Sequence, residues 1–357
     1  MQHPIQLVPA VCLLLAMSPV VHADPPTSQP AAAAAKNAPA APAPWTVKQL
    51  HEEAEALRSL YAAPLVQNFL DAVKSLPSIK PRTLIWNREA GKARLIPQGP
   101  IPTTQPGERV LELSEQYYYT TRYGTPLAYS RPMQILADSG VKTLTGARIL
   151  DFGYGTIGHL RLWASCGADV VGVEVDPTTE ALYSLPGDIG VIKGVSGAPD
   201  GRIALATGRW PADKLTTDVV RSGYDIIISK NTLKRGYLHP AQPVDKRMLV
   251  DLGVSDAEYV AAVYSALKPG GRFLIYNICP APAPPDKPYI PWADGRCPFD
   301  RELLEKKGFK IEAFDRDDSE DVRAMARALG WDKGTSSMDL TNDLFAHYTL
   351  MTKPKSN

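Results

Sequence analysis

The chain has 357 residues, 44% of them hydrophobic, enough for one large domain or two modest ones with a sizeable core. Its 39 Lys and Arg nearly balance its 38 Asp and Glu, for a formal net charge of +1. That balance excludes recognition of nucleic acid by bulk electrostatics, which needs a strongly basic surface, so no nucleic-acid partner is expected.

Residues 7–21 (LVPAVCLLLAMSPVV) form an apolar run, and Val21-His22-Ala23 closes it with a cleavage-site pattern. This predicts a signal peptide over residues 1–23 and an exported chain, periplasmic or secreted. An uncleaved anchor is the alternative, although the run is short for a transmembrane helix, which needs about 20 apolar residues. Once it is removed, no membrane span is expected. Residues 24–44 (DPPTSQPAAAAAKNAPAAPAP) bury too little apolar surface to offset their ordering entropy and read as a disordered Ala/Pro-rich linker.

Residues 45–109 read as a helical N-terminal extension. Leu50, Ala54, Leu57 and Tyr61 recur at helical spacing, as do Leu65, Phe69, Val73 and Leu76. Pro64 suits a first helical turn. Residues 82–87 (RTLIWN) predict a short strand, and the Pro, Gly and Thr of residues 91–107 predict a loop.

From residue 110 to 357 the pattern becomes regular. Strands are predicted at residues 148–152, 169–175, 203–207, 224–229 and 272–277, with helices between them. Ser255 and Glu258 form a capping box at the start of one of those helices. The alternation implies a doubly wound, mostly parallel α/β sheet. The tail then adds helix, strand, helix and a last strand over residues 344–351 (LFAHYTLM).

Cofactor chemistry concentrates at Asp151-Phe-Gly153-Tyr154-Gly155-Thr-Ile-Gly158. Glycines after a strand permit a sharp turn and close approach of a ligand to the backbone. Glu174 ends the next strand about 20 residues on, where an acid accepts hydrogen bonds from ribose hydroxyls. The glycines and Glu174 fit a dinucleotide site equally well.

Three features together resemble the class I, Rossmann-like S-adenosylmethionine-dependent methyltransferases over roughly residues 110–353. Asp151 gives the turn the form D-x-G-x-G, placing a carboxylate where it helps hold the cationic methionine end of that cofactor. Leu267-Lys-Pro-Gly-Gly271 resembles a recurrent segment before the fifth strand of those enzymes. The tail resembles their antiparallel seventh strand, inserted beside the sixth. The resemblance therefore implies a seven-stranded sheet with an antiparallel last strand, and S-adenosyl-L-methionine as cofactor. It implies a cofactor site of Asp151, Gly153, Tyr154, Gly155, Gly158, Glu174, Val175, Trp210, Lys230 and Asn231. Where many members carry an acid for the adenine amino group, this chain has Arg209, so Trp210 stacking or Asp213 would have to take that part. Ser229-Lys230-Asn231-Thr232 lacks the Asn/Asp-Pro-Pro-Tyr of enzymes acting on adenine or glutamine amino groups, and no Pro-Cys nucleophile is present.

On the substrate side, Tyr119 and Arg122 (within EQYYYTTR), Tyr289 and Trp292 are candidates, with a core-facing aromatic segment and a structural lid as the alternatives. An oxidising destination would allow a Cys279–Cys297 disulfide across a Pro-rich loop, with Cys166 a buried thiol. His51, His159, His239 and His347 are scattered, and no metal site is expected. The reading is thus a methyltransferase whose acceptor, a small molecule or a protein, the sequence does not name. The rival is a non-catalytic ligand-binding protein on a degenerate form of the same fold.

Overall fold

Runs such as Ile149-Leu150, Val170-Val171 and Ile226-Ile227-Ile228 are buried from both sides, the pattern of central strands in a sheet covered by helices on each face. The computed structural model describes residues 45–97, 99–121, 124–334 and 337–355. The expected signal peptide and linker lie outside the described residues. No described helix is long and apolar enough to cross a membrane.

The strands in chain order are β1 (Arg82–Asn87), β2 (Lys92–Ile96), β3 (Glu108–Leu113), β4 (Arg148–Phe152), β5 (Asp169–Glu174), β6 (Gly190–Ile192), β7 (Gly201–Thr207), β8 (Tyr224–Lys230), β9 (Leu267–Cys279), β10 (Lys310–Asp317) and β11 (Phe345–Thr352). The main sheet runs β10-β11-β9-β8-β4-β5-β7-β6. Strands β7, β5, β4, β8 and β9 are parallel, and β11 lies antiparallel between β10 and β9. This is the doubly wound sheet with an antiparallel last strand that the resemblance implied. It has eight strands rather than seven, because the short β6 pairs antiparallel with the outer edge of β7. The Lys268-Pro-Gly-Gly segment also pairs. β9 begins at Leu267, opposite Tyr224, with an irregularity before Arg272. Gly271 is required there, since a Cβ would stand 2.8 Å from the Tyr224 carbonyl oxygen.

The N-terminal part corrects two expectations. Helices Lys48–Leu57 and Pro64–Asp71 and the strand expected at residues 82–87 are present, and that strand, β1, is the centre of an antiparallel sheet, β2-β1-β3. Strand β2 occupies part of the expected 91–107 loop, and β3 crosses the expected boundary between residues 109 and 110. Nor is this part a separate unit. Leu50, Leu57, Val66 and Phe69 share one apolar core with Ile149, Leu160 and Trp163. Polar clamps fix the union. Glu115 accepts from the backbone N–H groups of Val47 (3.1 Å) and Ile79 (2.7 Å). Arg82 forms a two-pronged ion pair with Asp188, both bonds 2.7 Å. Within the main domain Arg131 pairs in the same way with Asp318, at 2.8 and 2.6 Å. A second core, built from Phe152, Tyr259, Phe273 and Phe299, fills the opposite face of the sheet.

Candidate active site

β4 hydrogen-bonds β5 on one side and β8 on the other, so the chain winds away in opposite directions from its carboxyl end. Open α/β sheets bind ligands in the crevice at such a switch point. A cleft of about 630 Å³ opens there, within the range of small-molecule sites.

The turn after β4 forms its floor. Gly153 and Gly155 adopt φ of +81° and +62°, conformations that side-chain-bearing residues rarely hold. A Cβ on Gly153 would lie 2.0 Å from the Thr232 hydroxyl, and one on Gly155 would lie 3.2 Å from Thr121 Cγ2. Glu174 closes β5 beside this turn. Its carboxylate accepts from Gly155 N (3.2 Å) and Val175 N (2.7 Å), while burial raises its pKa against those bonds. Tyr154 lines the cleft with its ring over Gly172, where a Cβ would meet it at 2.7 Å.

Asp151 sits beneath the turn, fully buried. Its Oδ2 receives the Tyr129 hydroxyl at 3.0 Å and contacts His159 Nε2 at 2.5 Å, while its Oδ1 has no partner among the described residues. The imidazole of His159 stacks on the Tyr129 ring at 3.7 Å, and burial holds its pKa down. Tyr129 and His159 both line the cleft. Sequence reasoning passed over both. The available signal was the place of His159, one residue into the helix that follows the glycine turn.

Val175, Arg209, Trp210 and Asp213 border the same cleft. Trp210 is mostly a core residue, packed edge-on to Tyr259 at 5.7 Å and tilted against Phe152 at 6.5 Å. Arg209 is turned outward by ion pairs with Asp251 (3.0 Å) and Asp213 (3.7 Å). Lys230 and Asn231 lie where β8 ends. Asn231 has φ +67° and its Oδ1 accepts from Ile278 N at 2.7 Å, so its side chain is spent on joining β8 to β9. The Lys230 ammonium stands 5.2 Å from the Tyr129 ring centre. Burial and the neighbouring Lys234 push its pKa down to about 8, against the pull of Asp151. Residues 247–251 and Tyr237 complete the rim, and no motif announces either.

Several expected residues stand elsewhere. Gly158 is not in the cleft; it is needed because a Cβ would lie 2.6 Å from the Tyr119 carbonyl oxygen. Tyr119 is itself buried, its hydroxyl donating to the Pro77 carbonyl, on a short helix (Glu115–Tyr119) rather than a strand. Arg122 lies outside the described residues. Tyr289 lines a separate groove of about 450 Å³, and its hydroxyl accepts from Ala241 N at 3.1 Å. Trp292 is buried with its carbonyl accepting from Lys234 at 3.3 Å. Their loop buttresses the helix Arg235–Leu238 from behind, where a Gly236 Cβ would be 1.8 Å from the Pro291 carbonyl oxygen. The Cys279–Cys297 disulfide is not formed: Cys166, Cys279 and Cys297 are all free and buried. Cys279 ends β9 and borders the separate groove, whereas Cys297 is packed into the core with Phe299. Among the described residues, no cluster of three or more His, Cys, Asp or Glu is placed to hold a metal ion.

No protein-family model and no curated protein matches the sequence. Solved structures resemble it at a distance. Phosphoethanolamine N-methyltransferase 2 of Haemonchus contortus, with phosphomonomethylethanolamine and S-adenosylhomocysteine, matches at 16% identity and TM-score 0.39, over 67% of this chain and 56% of that one. The same enzyme with S-adenosyl-L-methionine matches at 17% identity and TM-score 0.38, over 70% and 63%. An S-adenosylmethionine-dependent methyltransferase of Mesorhizobium loti matches at 16% identity and TM-score 0.35, over 63% and 97%. This chain thus spans little more than half of the Haemonchus enzyme, and the reading of the cleft rests on its own geometry.

Proposed function

We propose that the protein is an S-adenosylmethionine-dependent methyltransferase. The observation that carries this reading is the buried Asp151 Oδ1, without a partner among the described residues, beneath the positive-φ glycine turn that Glu174 closes. Two features fit that cofactor in particular. The turn is a cradle that a Cβ at Gly153 or Gly155 would fill or strain. Beneath it lies an oxygen of Asp151 that is buried and has no partner among the described residues, suited to a cationic neighbour and unsuited to a pyrophosphate.

In this reading Glu174 takes the ribose hydroxyls. Val175, Trp210 and Asp213 border the adenine, with Asp213 standing in for the acid that Arg209 replaces. Gly153 to Thr156, over Asp151, take the methionine end. When bound, the cofactor supplies a methyl group already activated on a sulfonium. The chain's part is then to place an acceptor in line and exclude water, which accounts for much of the rate of such transfers. Pro126, Tyr129, Tyr237 and residues 247–251 form the walls that would do this.

Calorimetric titration tests the reading. S-adenosylhomocysteine is expected to bind, and Glu174→Ala to weaken it by about 1.5–3 kcal/mol, the scale of lost hydrogen bonds to a charged group. Saturable binding of NADH with no response to S-adenosylhomocysteine would overturn it.

A further inference from the structure

Lys230 and Lys234 leave the same end of β8, and their surroundings differ sharply. The Lys234 ammonium is buried and donates to the carbonyls of Ile278 (2.6 Å) and Trp292 (3.3 Å). Lys230 lines the cleft, and among the described residues no carboxylate or carbonyl bonds its ammonium. Its nearest company is the face of the Tyr129 ring. The charged or titratable groups around it are Asp151 from β4, His159 from the following helix, and Lys234. Asp151 is already engaged by Tyr129 and His159 through Oδ2. A largely buried cation without an anion is costly, and such groups cluster where a ligand supplies the missing charge.

The other cations of the cleft are not available in this way. Arg247 is closed on Asp245 at 2.9 Å, and Arg209 on Asp251 at 3.0 Å. Among the described residues one point charge remains, beside walls formed by Pro126, Tyr129, Tyr237, Met248 and Leu249. An amine acceptor would arrive as a cation, repelled by Lys230 and by the sulfonium alike. A carboxylate or phosphate would favour the forked donor set of a free arginine. A single anionic oxygen on an apolar, planar body suits what is present.

We infer that the methyl acceptor is a phenol, and that Lys230 takes its proton and pairs with the resulting phenolate oxygen. This rests on the methyltransferase reading above. The phenol O–H proton passes to the Lys230 amine, giving an ammonium–phenolate pair. The phenolate oxygen then forms its bond to the methyl carbon as the carbon–sulfur bond breaks and that electron pair stays on sulfur. The products are an aryl methyl ether, a neutral thioether and the Lys230 ammonium, whose proton is released to solvent. The depressed pKa of Lys230 leaves part of it as free amine near neutrality, as a proton acceptor requires.

The test uses the full chain saturated with S-adenosylhomocysteine and 4-nitrophenol as probe, because its ionised form absorbs visible light. The bound probe is expected to ionise about 1–3 pH units below the free one, the range for a carboxyl beside a cation and the scale adopted for the phenol. Lys230→Met should abolish that shift and weaken the probe on the order of tenfold. Lys230→Arg should restore the shift by restoring the charge. S-adenosylhomocysteine affinity in both variants reports that they fold. If the homocysteine binds but the probe does not, or binds un-ionised, or keeps its shift in Lys230→Met, the phenol assignment falls and the methyltransferase reading stands. Benzoate displacing the probe at lower concentration than phenol does would also overturn it, in favour of a carboxylate. If the wild-type chain does not bind S-adenosylhomocysteine, the broader reading fails first.

Discussion

His159 Nε2 lies 2.5 Å from Asp151 Oδ2, in a pocket so closed that neither side chain reaches solvent appreciably. The pair joins the residue beneath the glycine turn to the helix that follows it. Tyr129, stacked on the imidazole, donates to the same oxygen, so both partners crowd one edge of the carboxylate and leave the other edge open.

A pH dependence follows from the imidazole. Burial lowers its folded pKa below the usual 6.5, and the Asp151 contact only partly opposes this. Above 6.5 the ring is neutral whether folded or unfolded and adds no slope. As pH falls below that value the unfolded chain takes up a proton that the folded chain resists, so stability is lost. The slope is expected to reach at most about 1.4 kcal/mol per pH unit. Denaturant titrations at a series of pH values should show this slope in the wild type and a reduced one in His159→Asn. Equal slopes would contradict it.

The glycine turn predicts a strong steric effect. Gly153→Ala puts a methyl group 2.0 Å from the Thr232 hydroxyl, at a φ of +81°. A loss of about 2–4 kcal/mol is expected from the combined clash and strain. Thr232→Gly in the same chain should recover the steric part and leave the conformational part. A double variant no more stable than Gly153→Ala would place the cost elsewhere.

The three buried thiols predict a labelling pattern. Cys297 is pushed up to about 12 by burial, as is Cys166, and Cys279 is also raised. Thiols in that state react slowly, since the thiolate is the nucleophile. Native alkylation should therefore leave Cys166, Cys279 and Cys297 unmodified, and alkylation in denaturant without reductant should label all three. Retention of an unlabelled pair after denaturation would mean that a bridge forms after all.

Arg131 and Asp318 predict how firmly the helix Ser130–Asp138 is held to the start of the helix Ser319–Ala328. Their side chains are 13% and 2% exposed, and Tyr276 adds a third bond to Asp318 at 3.0 Å. Asp318→Ala strands the Tyr276 hydroxyl and leaves Arg131 only the exposed Asp321, at 2.7 Å, so a cost of about 3 kcal/mol, the low end for breaking a buried pair, is expected. Thermal unfolding measures this. A loss below about 1 kcal/mol, the scale of a surface pair, would show that the site is wetter than its burial indicates.

Much of the parallel sheet was legible because each element is announced locally. Asp151, the two glycines and Glu174 lie at the ends of adjacent apolar runs, and β11 is a single unbroken one. What escaped was made of contacts between distant residues. His159 is marked only by its place just after the glycine turn, which does not identify Asp151 as its partner, and nothing near Thr232 marks it as the wall of Gly153. Gly158 had the right spacing for a ligand, but the chain uses it to let the Tyr119 carbonyl come close. The strand β6 is only three residues long, and β2, though Lys92-Ala93-Arg94-Leu95 alternates, is only five, too short to stand out beside the Gly and Pro around it. The cysteines were judged by their place along the chain, and the fold leaves Cys279 and Cys297 as separate buried thiols.

The shared core of the N-terminal helices also bears on the order in which the molecule can be made. Val47 waits for Glu115, Ser75 for Ser165, Arg82 for Asp188 and Arg131 for Asp318. A ribosome delivers these partners long after the helices themselves, at about 5–20 residues per second. For several seconds the apolar faces of Leu50, Leu57, Val66 and Phe69 have nothing native to cover them. Residues 45–76, made well before their partners, are therefore among the last able to finish folding, and they are the stretch where a helper that shields apolar segments would matter most.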